Sequence, residues 1–168
     1  MIEGVLQSTG LSWASIGSVA TYTGPGNFTG IRVGVASARG IGFGLGIPAL
    51  GVSRFEALAR NCDGSVLATV SDHKGRLLAQ VIRNGRPHGR AFAFAPDVPS
   101  VEIAAGSCIG DRSSYVSEIT GLPERAVPPC DPLAALAETA AMRGGSDQPA
   151  PQPLYVRPPD AVARAQAV

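Results

Sequence analysis

The chain has 168 residues, enough for one ordinary domain or two small lobes, and its 45% hydrophobic content suffices for a buried core. A formal net charge of +1 with 16% charged residues provides no general attraction to nucleic acids or membrane surfaces. Three widely spaced cysteines without a C-x-x-C pair indicate neither a disulfide framework nor a zinc site. Because the N-terminus also lacks the features of a signal peptide, we expect a protein of the reducing cytosol.

The first elements follow a helix, strand, helix, strand pattern. Residues 1–10 have apolar side chains on one helical face, and Val19–Thr23 is rich in strand-forming residues. The turn Gly24-Pro25-Gly26 follows, and Asn27 stands where the N-cap of a long helix belongs. Pro48–Val52 is a second apolar strand, so the order predicts a β-α-β crossover with a parallel strand pair.

The long helix carries a ridge of small residues at steps of four: Gly30, Gly34, Ala38, Gly42 and Gly46. Each interior glycine costs roughly 1 kcal/mol of helix propensity relative to alanine, so a tertiary contact must compensate. Another helix packed closely on this ridge is the simplest candidate, and Gly34→Leu is then expected to abolish the contact. Arg32, Arg39 and Pro48 interrupt the apolar run, which argues against a membrane span.

The rest of the chain predicts one helix, several short strands and a last helix. Ser53 and Glu56 form a capping box, and the helix that they start ends near Asn61. The strand candidates are Ser65–Ser71, Arg76–Arg83, Ala91–Ala95, Val101–Ala105 and Leu154–Arg157, with a hairpin turn at residues 72–75. Asp131 and Pro132 begin the last helix, which runs to Gly144, and a flexible connection follows it.

The glycine turn has some features of a phosphate site. A glycine-rich turn before a helix presents backbone N–H groups and the positive end of the helix dipole, which makes cofactor candidates of Gly24, Gly26, Asn27, Thr29 and Gly30. However, Thr29 occupies the sixth position of the G-x-G-x-x-G fingerprint, and the single lysine, Lys74, lies far from any Walker-type loop. The spacing therefore favours a structural turn over a self-contained nucleotide site.

Catalytic and metal-binding patterns are not apparent in the sequence. His73 and His88 are the only histidines and form no H-x-x-x-H pair, and no G-x-S-x-G motif is present. Cys62 falls on an apolar helix face, which is typical of a small core residue. Around the hairpin, Lys74, Arg76, Arg83, Arg86 and Arg90 form a basic cluster with no acidic residue between Asp72 and Asp97. This cluster either contacts an RNA backbone or is a solvated hairpin, and the lack of interleaved aromatic residues favours the latter.

The stretch from Gly24 to Gly34, GPGNFTGIRVG, resembles the G-P-G-S-F-T-G-[LIV]-R-[IV]-G signature of the TsaB (YeaZ) family, with Asn27 in place of the serine. Both residue types act as N-caps. Pro48–Ser53, the Asp72-x-x-Gly75 hairpin and Leu154–Arg157 follow in the order and spacing of that family. The resemblance covers nearly the whole chain, although only the first motif is specific.

The resemblance implies an α/β, actin-like (ribonuclease H-like) fold with two lobes. Residues 1–52 would be the remnant of the first lobe, residues 53–157 the second lobe and residues 158–168 a flexible tail. Members of the family begin with an additional segment bearing an I-D-T-[SA] motif, some fifty residues before the helix that opens this chain. We therefore expect a first lobe truncated at the N-terminus, through a misplaced start or a shortened chain.

The resemblance also implies a role in tRNA modification. The chain would be a non-catalytic dimerisation subunit for a TsaD-type transferase that forms N6-threonylcarbamoyladenosine at position 37 of tRNA. It would form a homodimer without that partner, act with a TsaE-type ATPase, bind no cofactor alone with ATP or ADP at the shared interface, and contact tRNA indirectly or weakly. The interface residues expected on this basis are Ile2, Val5, Leu6, Gly30, Ile31, Gly34, Val35, Ala38, Arg39 and Gly42. The alternative is a self-sufficient ATP-dependent or M22-like hydrolytic enzyme of the actin-like class.

Overall fold

The computed structural model describes residues 2–72, 74–96, 103–127, 130–143 and 148–156. The chain divides into two compact units, one of residues 1–57 with 130–154 and one of residues 58–129 with 155–168. The first boundary lies close to the one predicted after Val52, whereas residues 130–154 group with the first unit rather than the second. The predicted tail at 158–168 lies outside the described residues.

The first unit is built on two parallel strands. Strand β1 (Val19–Gly24) pairs with β2 (Ala49–Ser53), and helix α2 (Phe28–Leu45) connects them, as the crossover pattern predicts. Helix α1 (Ile2–Thr9) and a 3₁₀ turn (Trp13–Ser15) precede β1, and the short helix α3 (Arg54–Leu58) follows β2. The element order predicted for residues 1–52 is therefore confirmed.

Helix α5 (Pro132–Arg143), remote in sequence, covers the strand pair of the first unit. Ala135, Leu136 and Ala140 on α5 pack with Leu50 and Val52 on β2 in one apolar cluster. Small residues on the helix let it lie close to the strands, and the burial removes apolar surface from water on both sides. The last predicted helix is confirmed, and its place against the first unit is set by this packing.

A buried ion pair reinforces the contact between α5 and the strand pair. The backbone N–H of Ser53 donates to Glu56 Oε2 at 2.8 Å and that of Glu56 donates to Ser53 Oγ at 3.2 Å, which confirms the predicted capping box. The second oxygen of Glu56 pairs with the guanidinium of Arg143, which also donates to the carbonyl of Gly51. Burial lowers the pKa of Arg143. The carboxylate and the guanidinium thus link the stretch from Gly51 to Glu56 to the end of α5.

The second unit is a four-stranded mixed sheet in the order β5-β4-β3-β6. Strands β3 (Ser65–Ser71), β4 (Leu77–Arg83) and β5 (Arg86–Ala93) are antiparallel neighbours, and β6 (Ser107–Gly110) pairs parallel to β3. Helix α4 (Ser113–Thr120) follows β6. One sheet face and α4 share an apolar core that includes Leu67, Val81, Cys108 and Val116.

Several predictions for the second unit need correction. Strand β6 and helix α4 were not predicted; the strand is only four residues long, and α4 follows Arg112, which has a left-handed backbone and no capping side-chain hydrogen bond. The third strand begins at Arg86 rather than Ala91, because the two-residue turn Asn84-Gly85 lets pairing start at once.

Other predicted segments fall partly outside the described residues. Of the strand predicted at Val101–Ala105, residues 101 and 102 lie outside, and residues 103–105 form no strand. His73 in the hairpin turn, residues 144–147 of the connection and Arg157 also lie outside. Residues 154–156 are irregular rather than a strand, although the Leu154 N–H donates to the Thr23 carbonyl at 2.7 Å. Cys62 is half-buried, whereas Cys108 is fully buried.

Gly110→Ala is expected to destabilise the second unit strongly. A Cβ atom at Gly110 would lie 2.2 Å from the carbonyl oxygen of Thr69 and 2.6 Å from Leu58 Cδ2, and the backbone φ of +102° is itself unfavourable for alanine. The clash and the strain together should cost about 2–4 kcal/mol. Gly121→Ala is the matched control, because φ is +72° there but no atom lies within 4 Å of the added carbon. Urea unfolding that shows equal losses in the two variants would contradict the clash.

Candidate interface on the first unit

The glycine turn between β1 and α2 is packed against its own unit. The Gly24-Pro25 peptide is cis, Pro25 is buried, and the Arg54 guanidinium donates to the Pro25 carbonyl at 3.5 Å. A Cβ atom at Gly24 would lie 2.9 Å from the carbonyl oxygen of Leu154. This position therefore requires glycine for a close backbone approach, which is a structural reason for the first glycine of the motif.

Asn27 starts α2 as an N-cap, as predicted. Its Oδ1 accepts from the Gly30 N–H at 2.9 Å, and its carbonyl accepts from the Ile31 N–H at 3.0 Å. Gly26, Asn27 and Thr29 are exposed. The phosphate candidates of the sequence thus lie in one turn, and the Asn27 side chain already occupies the Gly30 N–H, one of the free N–H groups at the helix start that an anion would need.

The small-residue ridge of α2 faces the strands of its own unit. A Cβ atom at Gly34 would lie 3.0 Å from Thr21 Oγ1, and one at Gly42 would lie 2.9 Å from the Ile47 carbonyl oxygen and 3.1 Å from Ala49 Cβ. Ala38, between them, is buried. The expectation that another helix packs here is corrected at these three positions, because the helix needs small residues to lie against β1 and the start of β2. Gly34→Leu would therefore disturb the unit itself.

The residues expected at the interface separate into two groups. Leu6, Val35, Ala38 and Gly42 are buried within the chain, and Ile31 and Gly34 are half-buried. Ile2, Val5, Gly30 and Arg39 are exposed. Only the exposed group is available to a partner without rearrangement. The buried residues instead pack within the chain.

The opposite side of α2 is exposed and largely apolar. With 3.6 residues per turn, Val33, Ala36, Gly40 and Phe43 lie directly opposite Ala38. Phe43 is 92% exposed and Val33 is 60% exposed, and a Cβ atom at Gly40 would meet nothing within 4 Å. An aromatic ring beside an open glycine offers both an anchor and a place for close backbone approach. We call Val33, Ala36, Gly40 and Phe43 the outer face of α2.

Sequence reasoning missed this outer face, although a signal was present. Of the 18 residues in α2, only Arg32 and Arg39 are charged, so the helix is apolar nearly all round. Such a helix is normally buried on every side, and one with an exposed apolar side points to a partner surface.

Other polar side chains of the described residues largely form hydrogen bonds within the chain. Ser113 and Ser114 at the start of α4 donate to the Glu124 carboxylate at 2.5 Å and 3.0 Å, and these bonds lower the pKa of Glu124. Burial raises the pKa of the Cys108 thiol, and the charge of Glu124 raises it further.

Across the described ranges, no three or more His, Cys, Asp or Glu residues are grouped as metal ligands. Nor does this part of the chain contain a helix with the length and apolarity needed to cross a bilayer.

Fold and surface together define a two-unit α/β protein with an exposed apolar side on helix α2. Residues 1–88 of the 168 match the family model described as TsaD: tRNA N6-adenosine threonylcarbamoyltransferase. An uncharacterized protein of Mycobacterium tuberculosis is 34% identical over 159 residues, which cover 93% of this chain and 71% of that protein. The Escherichia coli tRNA threonylcarbamoyladenosine biosynthesis protein TsaB is 33% identical over 97 residues, 53% of this chain and 42% of that protein.

A comparison with solved structures agrees with these sequence matches as far as the fold is concerned. YeaZ from Pseudomonas aeruginosa matches with a TM-score of 0.61 and 24% identity over 93% of this chain and 81% of that chain. The chain has the actin-like α/β fold, as the signature in residues 24–34 implies. It belongs to the family of the matched model and is a homologue of TsaB (YeaZ).

Proposed function

We propose that this chain is a non-catalytic dimerisation subunit that binds a TsaD-type transferase and supports formation of N6-threonylcarbamoyladenosine at position 37 of tRNA. The observation that carries this proposal is the outer face of α2, where Phe43 and Val33 are exposed beside the open backbone of Gly40. A helix of the transferase would pack on this face and bury both side chains. Its TsaB homologues are named for the biosynthesis of the same modified nucleoside.

The glycine turn between β1 and α2 is consistent with a supporting role rather than an independent enzymatic one. Its spacing departs from the nucleotide fingerprints, and the Asn27 side chain occupies one of its N–H donors. In the proposal, any ATP or ADP binds only at the interface with the transferase, a TsaE-type ATPase joins the assembly, and the free chain pairs with a second copy through the same outer face. The alternative of a self-sufficient enzyme predicts tight binding of ATP and magnesium by the isolated chain, which calorimetry measures directly.

The proposal is tested by co-expressing the chain with a TsaD-type transferase and measuring the mass of the product by size-exclusion chromatography with light scattering. We expect a complex whose mass exceeds that of either protein, and stimulation of threonylcarbamoyladenosine formation over the transferase alone. Two separate peaks and an unchanged rate of modification would contradict the proposal. A chain boiled before mixing is the control for nonspecific stimulation.

A further inference from the structure

The edge of the second unit carries a row of unpaired cations. Strand β5 lies at one end of the four-stranded sheet, and its residues 86–90 are all exposed. Arg76 is held by the Asp72 carboxylate at 2.7 Å, which removes one charge from the basic cluster. Within the described part of the chain, Arg83, Arg86 and Arg90 form no such ion pair. Together with Lys74 in the hairpin turn, these three arginines carry the remaining positive charge of the cluster.

Two of these arginines face each other across the hairpin. Arg83 on β4 is the register partner of Arg86 on β5, and Val81 is the partner of His88, so all three polar side chains extend from the same face of the sheet. Like charges directly opposite each other destabilise a strand pair. An anion bound between the two guanidinium groups would remove that repulsion and would accept hydrogen bonds from them.

The geometry of β5 selects a charged ligand over an added protein strand. Pro87 has no N–H, and Gly89 has a φ of +79°. The strand register shifts at Gln80, because several β5 residues lie opposite it between the pair that Ala79 forms and the pair that Val81 forms, and β5 bulges there. Gln80 Nε2 donates to the Gly89 carbonyl at 3.1 Å and holds this bulge. A bulged edge with a proline is unsuited to strand addition, and its arginines remain available to a polyanion.

We propose that Arg83 and Arg86 at the hairpin, together with the exposed Arg90 on the edge strand β5, bind the phosphate backbone of RNA. Phe, Tyr and Trp are absent from residues 83–90, so binding should follow the backbone without reading the bases. The dissociation constant should then be in the range of nonspecific contacts, about 1–100 μM. The choice of tRNA as the RNA rests on the proposed function, whereas binding of an RNA backbone is inferred from the charge pattern.

The test is fluorescence anisotropy of a labelled, unmodified tRNA transcript titrated with the full chain over a range of salt concentrations. In the variant Arg83→Gln/Arg86→Gln, the Kd should rise about tenfold and the slope of log K against log salt should fall by about 2. The control Arg112→Gln/Arg125→Gln removes two exposed arginines from the same unit and should change the Kd less than about twofold. Arg83→Lys/Arg86→Lys should keep the salt slope, because it keeps the charge.

Equal weakening in the two glutamine variants would overturn the assignment, as would binding of poly-glutamate as tight as that of tRNA. The melting temperature of Arg83→Gln/Arg86→Gln should not fall, since the substitutions remove a repulsion, and this separates loss of binding from loss of folding. The same preparations are run with the transferase on a sizing column. Complex formation without tRNA binding rejects only the RNA surface, and tRNA binding without a complex rejects only the proposed function.

Discussion

Phe43→Lys is expected to dissociate the proposed complex with the transferase. The ring is 92% exposed in the free chain, and a partner helix packed on the outer face of α2 would bury it at the C-terminal end of that face. Loss of a buried aromatic anchor at an interface typically costs about 2 kcal/mol or more, so the Kd should rise by about 30-fold or more. Lysine retains helix propensity and is favourable in the last turn of α2, so the melting temperature should stay near that of the wild type.

Met142→Lys is the matched control for this prediction. Met142 is 68% exposed and also lies in the last turn of a helix, α5, within the same unit. It gains the same charge in a similar environment but lies away from the outer face of α2. Titration calorimetry that finds both variants equally weakened, or neither, would reject the outer face of α2 as the docking surface.

Arg143→Met is expected to lower the free energy of unfolding of the first unit by about 3–5 kcal/mol. Glu56 is buried, and Arg143 is the cation that pairs with it. Removing the arginine leaves a buried carboxylate without compensation, which costs much more than an exposed ion pair would contribute. Urea unfolding, monitored by the fluorescence of Trp13 in this unit, measures the loss.

A double-mutant cycle separates the ion pair from simple packing. Glu56→Gln keeps a side-chain oxygen for the Ser53 N–H while removing the charge. The double variant Glu56→Gln/Arg143→Met should therefore be more stable than Arg143→Met alone, because no uncompensated charge remains. Strict additivity of the two losses would show that α5 is held by apolar contacts and not by the pair.

Much of the first unit could be predicted because its signals are local. The N-cap at Asn27, the capping box of Ser53 and Glu56, and the apolar runs that flank α2 each depend on residues only a few positions apart. Strand β6 and helix α4 gave no comparable signal. The strand is held by pairing with β3, some forty residues away, and the helix starts at Arg112 without a capping side-chain hydrogen bond.

Only the tertiary structure shows what packs against the small residues of α2. A four-step row of glycine and alanine predicts that something approaches closely, but the row alone does not identify what lies there. In the folded unit Thr21, Ile47 and Ala49 fill that position, which leaves the side with Gly40 and Phe43 exposed. Several of the residues predicted for the interface therefore lie on the inward side of α2.

The sequence by itself determined the crossover of the first unit, the cap that starts α2 and the family signature in residues 24–34, because each is encoded by neighbouring residues. Only the tertiary structure decided which side of α2 is free, that α5 returns to cover β1 and β2, and that Arg83 and Arg86 stand opposite each other. Those features depend on the register of strands and on contacts between distant segments. Local propensity carries no information about either, since it reports the conformation of a segment and not what packs against it.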